Sequence, residues 1–164
     1  MIENLLILGA GQYGCVARET AEAMSCFGKI AFLDDNNPAA IGKLEALAQY
    51  VSGYQQAFVA MGNPQLRLRF LEKLEAAGFC LAKLIHPSAV VMPSVNLNGG
   101  VIVEAQAVVN SNTVVGNGCI ISAGAVVNHD CVLERGCHVD CNATVPARSR
   151  VPENTKIPCG TVYI

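Results

Sequence analysis

No stretch of this 164-residue chain is strongly basic, none is a long apolar run, and the formal net charge is only -2. Without clustered lysines and arginines there is no electrostatic footprint for nucleic acid or for an anionic membrane surface. No segment reaches the roughly 18 uninterrupted apolar residues of a membrane helix, so insertion into a bilayer is not expected. The first residues, MIENLLILGAGQYG, also lack the positive charge that opens a secretory signal; an acid stands there, and four apolar residues run into a glycine loop. From these absences a cytoplasmic location is expected. In a reducing compartment the eight cysteines read as apolar packers, metal ligands or a nucleophile rather than disulfides.

What is present falls into two regimes that meet near residue 85. Residues 1–84 alternate strand-like runs (LLILG, KIAFLDD, QAFVAMG) with helical ones (CVARETAEAM, PQLRLRFLEKLEAAG), the pattern of β-α-β units on a parallel sheet. From Ile85 onward a period of six takes over. Ile85, Val91, Leu97, Val103, Val109, Val115, Ile121, Val127, Leu133, Val139, Val145, Val151, Ile157 and Tyr163 are evenly spaced, and the residue four places after each of the first thirteen is small or no larger than valine. Ile, Leu and Val supply 43 of the 164 residues, too few for such a register to arise by chance. One aliphatic and one small slot per six residues is the signature of a hexapeptide-repeat β-helix, with both slots facing inward. The expected fold is therefore α/β plus β: a small Rossmann-like domain over residues 1–84 and a left-handed parallel β-helix over residues 85–164.

Between the two inward slots a side chain turns outward. There stand Val90, Ile102, Val108, Val114, Ile120, Val126 and Val132, an apolar surface that neighbouring subunits are expected to cover in a homotrimer.

Residues 128–141, NHDCVLERGCHVDC, concentrate two histidines and three cysteines and look at first like a metal site. The repeat argues otherwise. It puts Cys131 and Cys137 in the small inward slot, His138 on the outward face and His129 with Asp130 on a turn, so no tetrahedral set of ligands converges and no metal is expected. In the first half, GAGQYG (residues 9–14) is a G-x-G-x-x-G turn between strand and helix, with Asp34 and Asp35 about 20 residues on. Such a turn brings amide N–H groups and a helix N-terminus against a phosphate, and an acid ending the next strand takes a ribose hydroxyl. Two mononucleotide halves need roughly 150 residues, more than precede the repeat, so one nucleotide fits better than NAD.

These residues together resemble the hexapeptide-repeat sugar acetyltransferases of the sialic-acid and bacillosamine type, close to the UDP-4-amino-sugar N-acetyltransferases. The resemblance rests on the glycine loop at 9–14, FLDD at 32–35, V-A-M-G-N at 59–63 with Arg67 behind it, L-I-H-P-S-A at 84–89, and NHDC at 128–131 followed by His138. It implies that the α/β domain holds a UDP-amino sugar through Gly9, Gly11, Gln12, Tyr13, Asp34, Asp35, Gly62, Asn63 and Arg67. It also implies that acetyl-CoA is the co-substrate, that His129 is the general base with Asp130 orienting it, and that His138 contacts the acetyl thioester carbonyl. Gln12 and Tyr13 depart from the glycine and histidine common in that family's loop. An imidazole suits removal of the amine proton as a thioester is attacked, and because the two histidines occupy different faces of a coil, the active sites are expected at subunit seams.

The segment after His138 turns polar outward at Thr144, Arg150 and Lys156, and Pro146, Pro152 and Pro158 recur in it at the hexapeptide spacing, which reads as a solenoid cap. On that reading the coenzyme groove is short, Arg148, Arg150 and Lys156 are the cations left for its phosphates, and acetyl-CoA binding is weak and salt-dependent. Two other classes remain compatible with the sequence: a nucleotide-sugar-binding scaffold without catalysis, separated by its failure to bind acetyl-CoA, and a small NAD-dependent oxidoreductase, exposed by titration with a nicotinamide cofactor.

Overall fold

The computed structural model describes residues 2–164, and they divide into two compact units between Ala82 and Lys83. The repeat thus begins slightly before the boundary read from the sequence. The reason is that Leu84 and Ile85 already pair with Ile102 and Val103 as a β-helix strand.

The first unit is a four-stranded parallel sheet in the order β2-β1-β3-β4, formed by β1 (Leu5–Leu8), β2 (Ile30–Leu33), β3 (Gln56–Val59) and β4 (Cys80–Leu81). β1 lies between β2 and β3, and its LLIL sequence is buried throughout, as a central parallel strand covered on both faces must be. Helix α1 (Gln12–Met24) buries Gly14, Ala17, Thr20 and Ala21, small residues that let the helix approach the sheet closely. Helix α2 (Pro64–Ala77) begins with Asn63 accepting the Leu66 N–H at 2.8 Å and Pro64 in its first turn, and ends at Gly78 with φ +95. Leu68, Leu71 and Leu74 of α2 pack with Leu6, Leu8, Leu33 and Val59 of the sheet. Because the chain moves from β1 to β2 on one side and returns to β3 on the other, the order reverses at β1, which is where open α/β sheets bind ligands, beyond the carboxyl ends of the strands.

The second unit is the left-handed parallel β-helix. Among the described residues it has thirteen two-residue strands, β5 (Leu84–Ile85) to β17 (Lys156–Ile157), in three sheets of four, five and four strands. Each strand pairs with the equivalent strand of the next coil, as in the column Val90, Val108, Val126, Thr144. The inward slots form one core running from Leu97 through Val103, Val109, Val115 and Ile121 to Ile157, with Cys119, Cys131 and Cys137 filling small positions. Corners turn through residues with left-handed φ, supplied by glycines and by Gln106, Asn112, Asp130, Asn142, Arg148 and Asn154.

The outward column departs from expectation. Ile102 and Ile120 are 0% and 1% exposed and Leu84 is 0%, so the face carrying β5, β8 (Ile102–Val103) and β11 (Ile120–Ile121) offers no apolar stripe to another subunit. Val90, at 48%, and the half-buried Val108, Val114, Val126 and Val132 on the other two faces remain available. No helix among the described residues is long and apolar enough to cross a membrane.

Candidate active site

The residues expected to carry the chemistry fall in two places, one in each unit. In the first, the glycine loop after β1 lies against the loop after β3. Gly9 has φ +99, and a Cβ there would stand 2.7 Å from the Ala60 carbonyl oxygen; a Cβ on Gly14 would stand 2.3 Å from the Gly9 oxygen. These two glycines make the turn possible. Gly11 and Gly62 are different, because a Cβ on either would meet nothing within 4 Å. Both are exposed at the carboxyl end of the sheet, with Gly11 capping α1, where a phosphate can approach free N–H groups at the positive end of the helix dipole. Gln12 is exposed in the first turn of α1 and Tyr13 is half-buried beside it.

The remaining residues expected to bind substrate all make contacts to backbone, Asp35 and Asn63 from exposed positions, Asp34 half-buried and Arg67 buried. Asp34 Oδ2 accepts the Ala10 N–H at 2.8 Å, and Oδ1 accepts those of Asn36 and Asn37 at 2.8 and 2.9 Å. The hydrogen bonds from Ala10 and Asn36 hold this carboxyl below its usual range against the opposing effect of burial. Asn37 completes the tie by donating its side-chain amide to the Ala10 carbonyl at 2.6 Å. Asp35 accepts the Leu44 N–H at 3.0 Å. Both acids therefore brace backbone, Asp34 through both carboxylate oxygens and Asp35 through Oδ1. Asn63 is the cap of α2. Arg67 is 1% exposed, and its guanidinium donates to the carbonyls of Met61 at 2.7 Å and Gly62 at 3.1 Å, so it holds the loop after β3 from within.

Beside this loop lies a cleft of about 400 Å³ lined by Ala10, Cys15, Arg18, Phe32, Asn37 and Ala39, among others. Arg18 stands over the Phe32 ring at 5.6 Å and pairs with Glu22 at 2.8 Å. The sequence pattern does not single out Arg18, Phe32 or Asn37 as binding residues, although Phe32 and Asn37 flank the two acids that it does.

Replacing Asp34 with alanine strips three backbone N–H groups of a charged acceptor and should cost about 2 kcal/mol of stability at pH 7. Because the folded carboxyl lies below its ordinary value, its contribution is present above the unfolded value near 4 and is lost as acid titrates the folded form. The melting difference between wild type and Asp34→Ala should therefore shrink steadily below pH 4. A constant difference down to pH 2 would show that the carboxylate is not what holds the loop.

In the second unit, His129 and Asp130 occupy the corner between β12 (Val126–Val127) and β13 (Val132–Leu133). His129 Nδ1 and Asp130 Oδ2 are 2.7 Å apart, and each side chain is 45% exposed. The hydrogen bonds from His129 and from Asn112 hold the Asp130 carboxyl below its usual range. An ionised carboxylate only accepts, so Nδ1 carries a proton, and in the neutral ring Nε2 then presents a lone pair, the tautomer a general base needs.

His138 lies in β14 (His138–Val139), on a different sheet. Its Nε2 is 3.0 Å from Ser122 Oγ and 3.8 Å from Asp140 Oδ1, and Lys156 pairs with Asp140 at 3.0 Å. Burial opposes ionisation of Asp140, but the Lys156 hydrogen bond and the nearby His138 bring its carboxyl below the usual value. Ser122, Asp140 and Lys156 were not identified from the sequence as partners of His138. Stacking supplies the signal, since His138 and Lys156 stand on successive coils and pair in register.

The cysteines of the 128–141 stretch that occupy inward slots face the core. Cys131 and Cys137 are buried and donate to the Pro146 and Pro152 carbonyls at 3.1 and 3.0 Å, and burial pushes the Cys131 thiol up. Among the described residues no three His, Cys, Asp or Glu side chains are grouped to hold a metal ion. Of the three cations expected to be available for phosphates, Arg150 pairs with Glu134 at 2.6 Å and Lys156 with Asp140, which leaves exposed Arg148, one coil above Asp130.

Comparison with known proteins gives a consistent picture. The model of the PglD N-terminal domain family matches residues 4–74. The acetyltransferase domain of PglB from Neisseria gonorrhoeae FA1090, solved in complex with acetyl coenzyme A, is 34% identical, with 99% of this chain and 82% of that chain covered at a TM-score of 0.93. A mutant of perosamine N-acetyltransferase from Caulobacter crescentus, solved with CoA and GDP-perosamine, is 29% identical over 100% of this chain and 90% of that one, with a TM-score of 0.87. UDP-N-acetylbacillosamine N-acetyltransferase of Bacillus subtilis (strain 168) is 30% identical over 117 residues, 63% of this chain; the match spans about half, 52%, of that relative.

Proposed function

Because the chain belongs to the hexapeptide-repeat sugar N-acetyltransferases, we propose that it transfers the acetyl group of acetyl-CoA to the amino group of a nucleotide-linked amino sugar. The acceptor is a UDP-4-amino sugar, His129 is the general base and a homotrimer is the working form. The observation that carries this reading is the His129–Asp130 pair, 2.7 Å apart on an accessible β-helix corner, with Nδ1 donating to the carboxylate.

The chemistry follows from that geometry. The sugar amine attacks the thioester carbonyl, its proton passes to His129 Nε2, and the imidazolium is steadied by Asp130 through Nδ1–H. The carbonyl oxygen gains negative charge in the tetrahedral intermediate, where a hydrogen-bond donor lowers the barrier; His138, braced by Ser122 and Asp140, is assigned that place. Collapse breaks the C–S bond, and the CoA thiolate takes the proton from His129. The product is the amide, and the base returns to its neutral form. In the first unit, Gly11 and Gly62 give the nucleotide's phosphates access to backbone N–H groups, and the cleft at Phe32 and Asn37 receives the nucleoside.

The proposal is tested by incubating the protein with acetyl-CoA and either UDP- or GDP-linked 4-amino sugars and following the acetylated product by mass spectrometry. Acetylation of the UDP sugar with a kcat/KM at least about ten-fold above the GDP sugar is expected, a difference of about 1.4 kcal/mol in transition-state binding. Preference for the GDP sugar would overturn the nucleotide assignment. Nucleotide-sugar binding without any acetyl transfer would leave a scaffold in place of an enzyme.

A further inference from the structure

The dyad rests on an asparagine turn one coil below it. Residues 110–112, Asn-Ser-Asn, stand directly beneath Asn128, His129 and Asp130 in the repeat, and the strands that precede the two turns are paired in register, Val108 with Val126 and Val109 with Val127. Three hydrogen bonds join the turns. Asn110 Nδ2 donates to Asn128 Oδ1 at 3.3 Å, the Asp130 N–H donates to the Ser111 carbonyl at 2.9 Å, and Asn112 Nδ2 donates to Asp130 Oδ1 at 3.2 Å. Asn128 Oδ1 in turn accepts the His129 N–H at 2.8 Å, so the backbone of the base is tied to the same support.

Asn112 and Asp130 both adopt left-handed φ, +60 and +58. That is a conformation asparagine and aspartate tolerate better than most residues, and the shared corner geometry brings their side chains side by side on successive coils. Asn112 is fixed from beneath in its own turn, because its N–H donates to Ser94 Oγ at 3.0 Å. A carboxylate has two acceptor oxygens, and engaging both fixes its orientation more closely than engaging one. Here Asn112 takes Oδ1, which leaves Oδ2 directed at His129 Nδ1. The charged neighbour on the other side of Asp130 is Arg148, one coil above, whose influence on the carboxylate is through charge.

We propose that Asn112 is a positioning residue for acetyl transfer: by holding Asp130 Oδ1 it orients Oδ2 toward His129 Nδ1 and fixes the base in the tautomer whose Nε2 accepts a proton. The inference rests on the assignment of His129 as general base, but the orientation of the dyad can be read independently of activity. Tautomer errors in a histidine–carboxylate pair lower turnover without abolishing substrate binding, so the expected signature is a loss in kcat at nearly constant KM.

The test uses Asn112→Gly, which accepts the left-handed φ and removes only the amide, and Asn112→Asp, which keeps size and φ but sets a second carboxylate against Asp130. Both are checked first for wild-type oligomeric mass and melting temperature. The tautomer is read by nitrogen NMR of isotope-labelled histidine; the chain has only three histidines, and His129→Ala assigns the signal. In wild type the His129 proton should sit on Nδ1. In Asn112→Gly it should redistribute toward Nε2, with kcat roughly ten-fold lower, part of the 10²–10⁴ a general base supplies, and both KM values within about two-fold. Asn112→Asp should lose at least as much. An unchanged His129 tautomer in a folded Asn112→Gly protein overturns the proposal, whatever the rate. If instead His129→Ala has wild-type kcat, the base assignment fails, and the NMR result alone still decides what Asn112 does.

Discussion

His129→Ala should lower kcat by roughly 10² to 10⁴, the share of catalysis that a positioned general base supplies, and leave fold and assembly intact. The ring is not part of the architecture. Its corner is held by backbone contacts, the His129 N–H to Asn128 Oδ1 at 2.8 Å and the Arg148 N–H to the His129 carbonyl at 3.0 Å. The side chain is 45% exposed, so its removal leaves no buried cavity. KM for the nucleotide sugar should change little if, as proposed, residues of the other unit hold the nucleotide. Asp130, held below its ordinary value by the hydrogen bonds from His129 and Asn112, stays ionised throughout the neutral range, so loss of rate on mild acidification is not a titration of Asp130. Steady-state kinetics on the amino-sugar substrate decides the matter; an unaltered kcat would return His129 to the status of a surface histidine.

The double substitution Val108→Glu and Val126→Glu should convert a trimer into monomers at micromolar concentration and abolish activity with it. The two valines are half-buried neighbours on successive coils, paired in register between Val90 and Thr144. If this face packs against another subunit, each carboxylate enters an apolar seam unpaired, at a cost on the order of several kcal/mol, repeated at every interface of the assembly. Thr144 already stands in the same column, so Val126→Thr is the fitting control and should leave the trimer intact. Sedimentation of the wild-type protein as a monomer would end the proposal, and a trimer that survives both glutamates would move the interface to the Val114 and Val132 face.

How far the sequence could be read depended on the distance over which each feature is decided. The hexapeptide period assigned Val103, Val109, Val115, Ile121, Val127, Leu133, Val139 and Val145 to the interior, and all are buried. It also assigned Cys131 and Cys137 to the inward slot, where both are buried. The same period relates the partners of the site: one coil back from Asp130 stands Asn112, and one coil forward from His138 stands Lys156. The α/β half was less transparent. Asp34 and Arg67 were recognised as residues that matter, but a carboxylate that caps three N–H groups and a guanidinium turned onto two carbonyls look no different in sequence from groups that reach a ligand. The outward slot of the repeat showed the same limit. Alternation predicts that Ile102 and Val108 both point away from the coil, and it does not say that one of them is buried and the other half open.

The sequence by itself determined the two regimes, the register of the coils and the strand-to-helix turn at residues 9–14, because each follows from sterics and periodicity acting over a few consecutive residues. Only the tertiary structure decided which oxygen of Asp130 faces His129, that Asp34 and Arg67 brace loops, and that the Ile102 and Ile120 face is closed. Those outcomes depend on side chains from distant positions competing for the same donors, acceptors and surface, a competition that no local rule resolves.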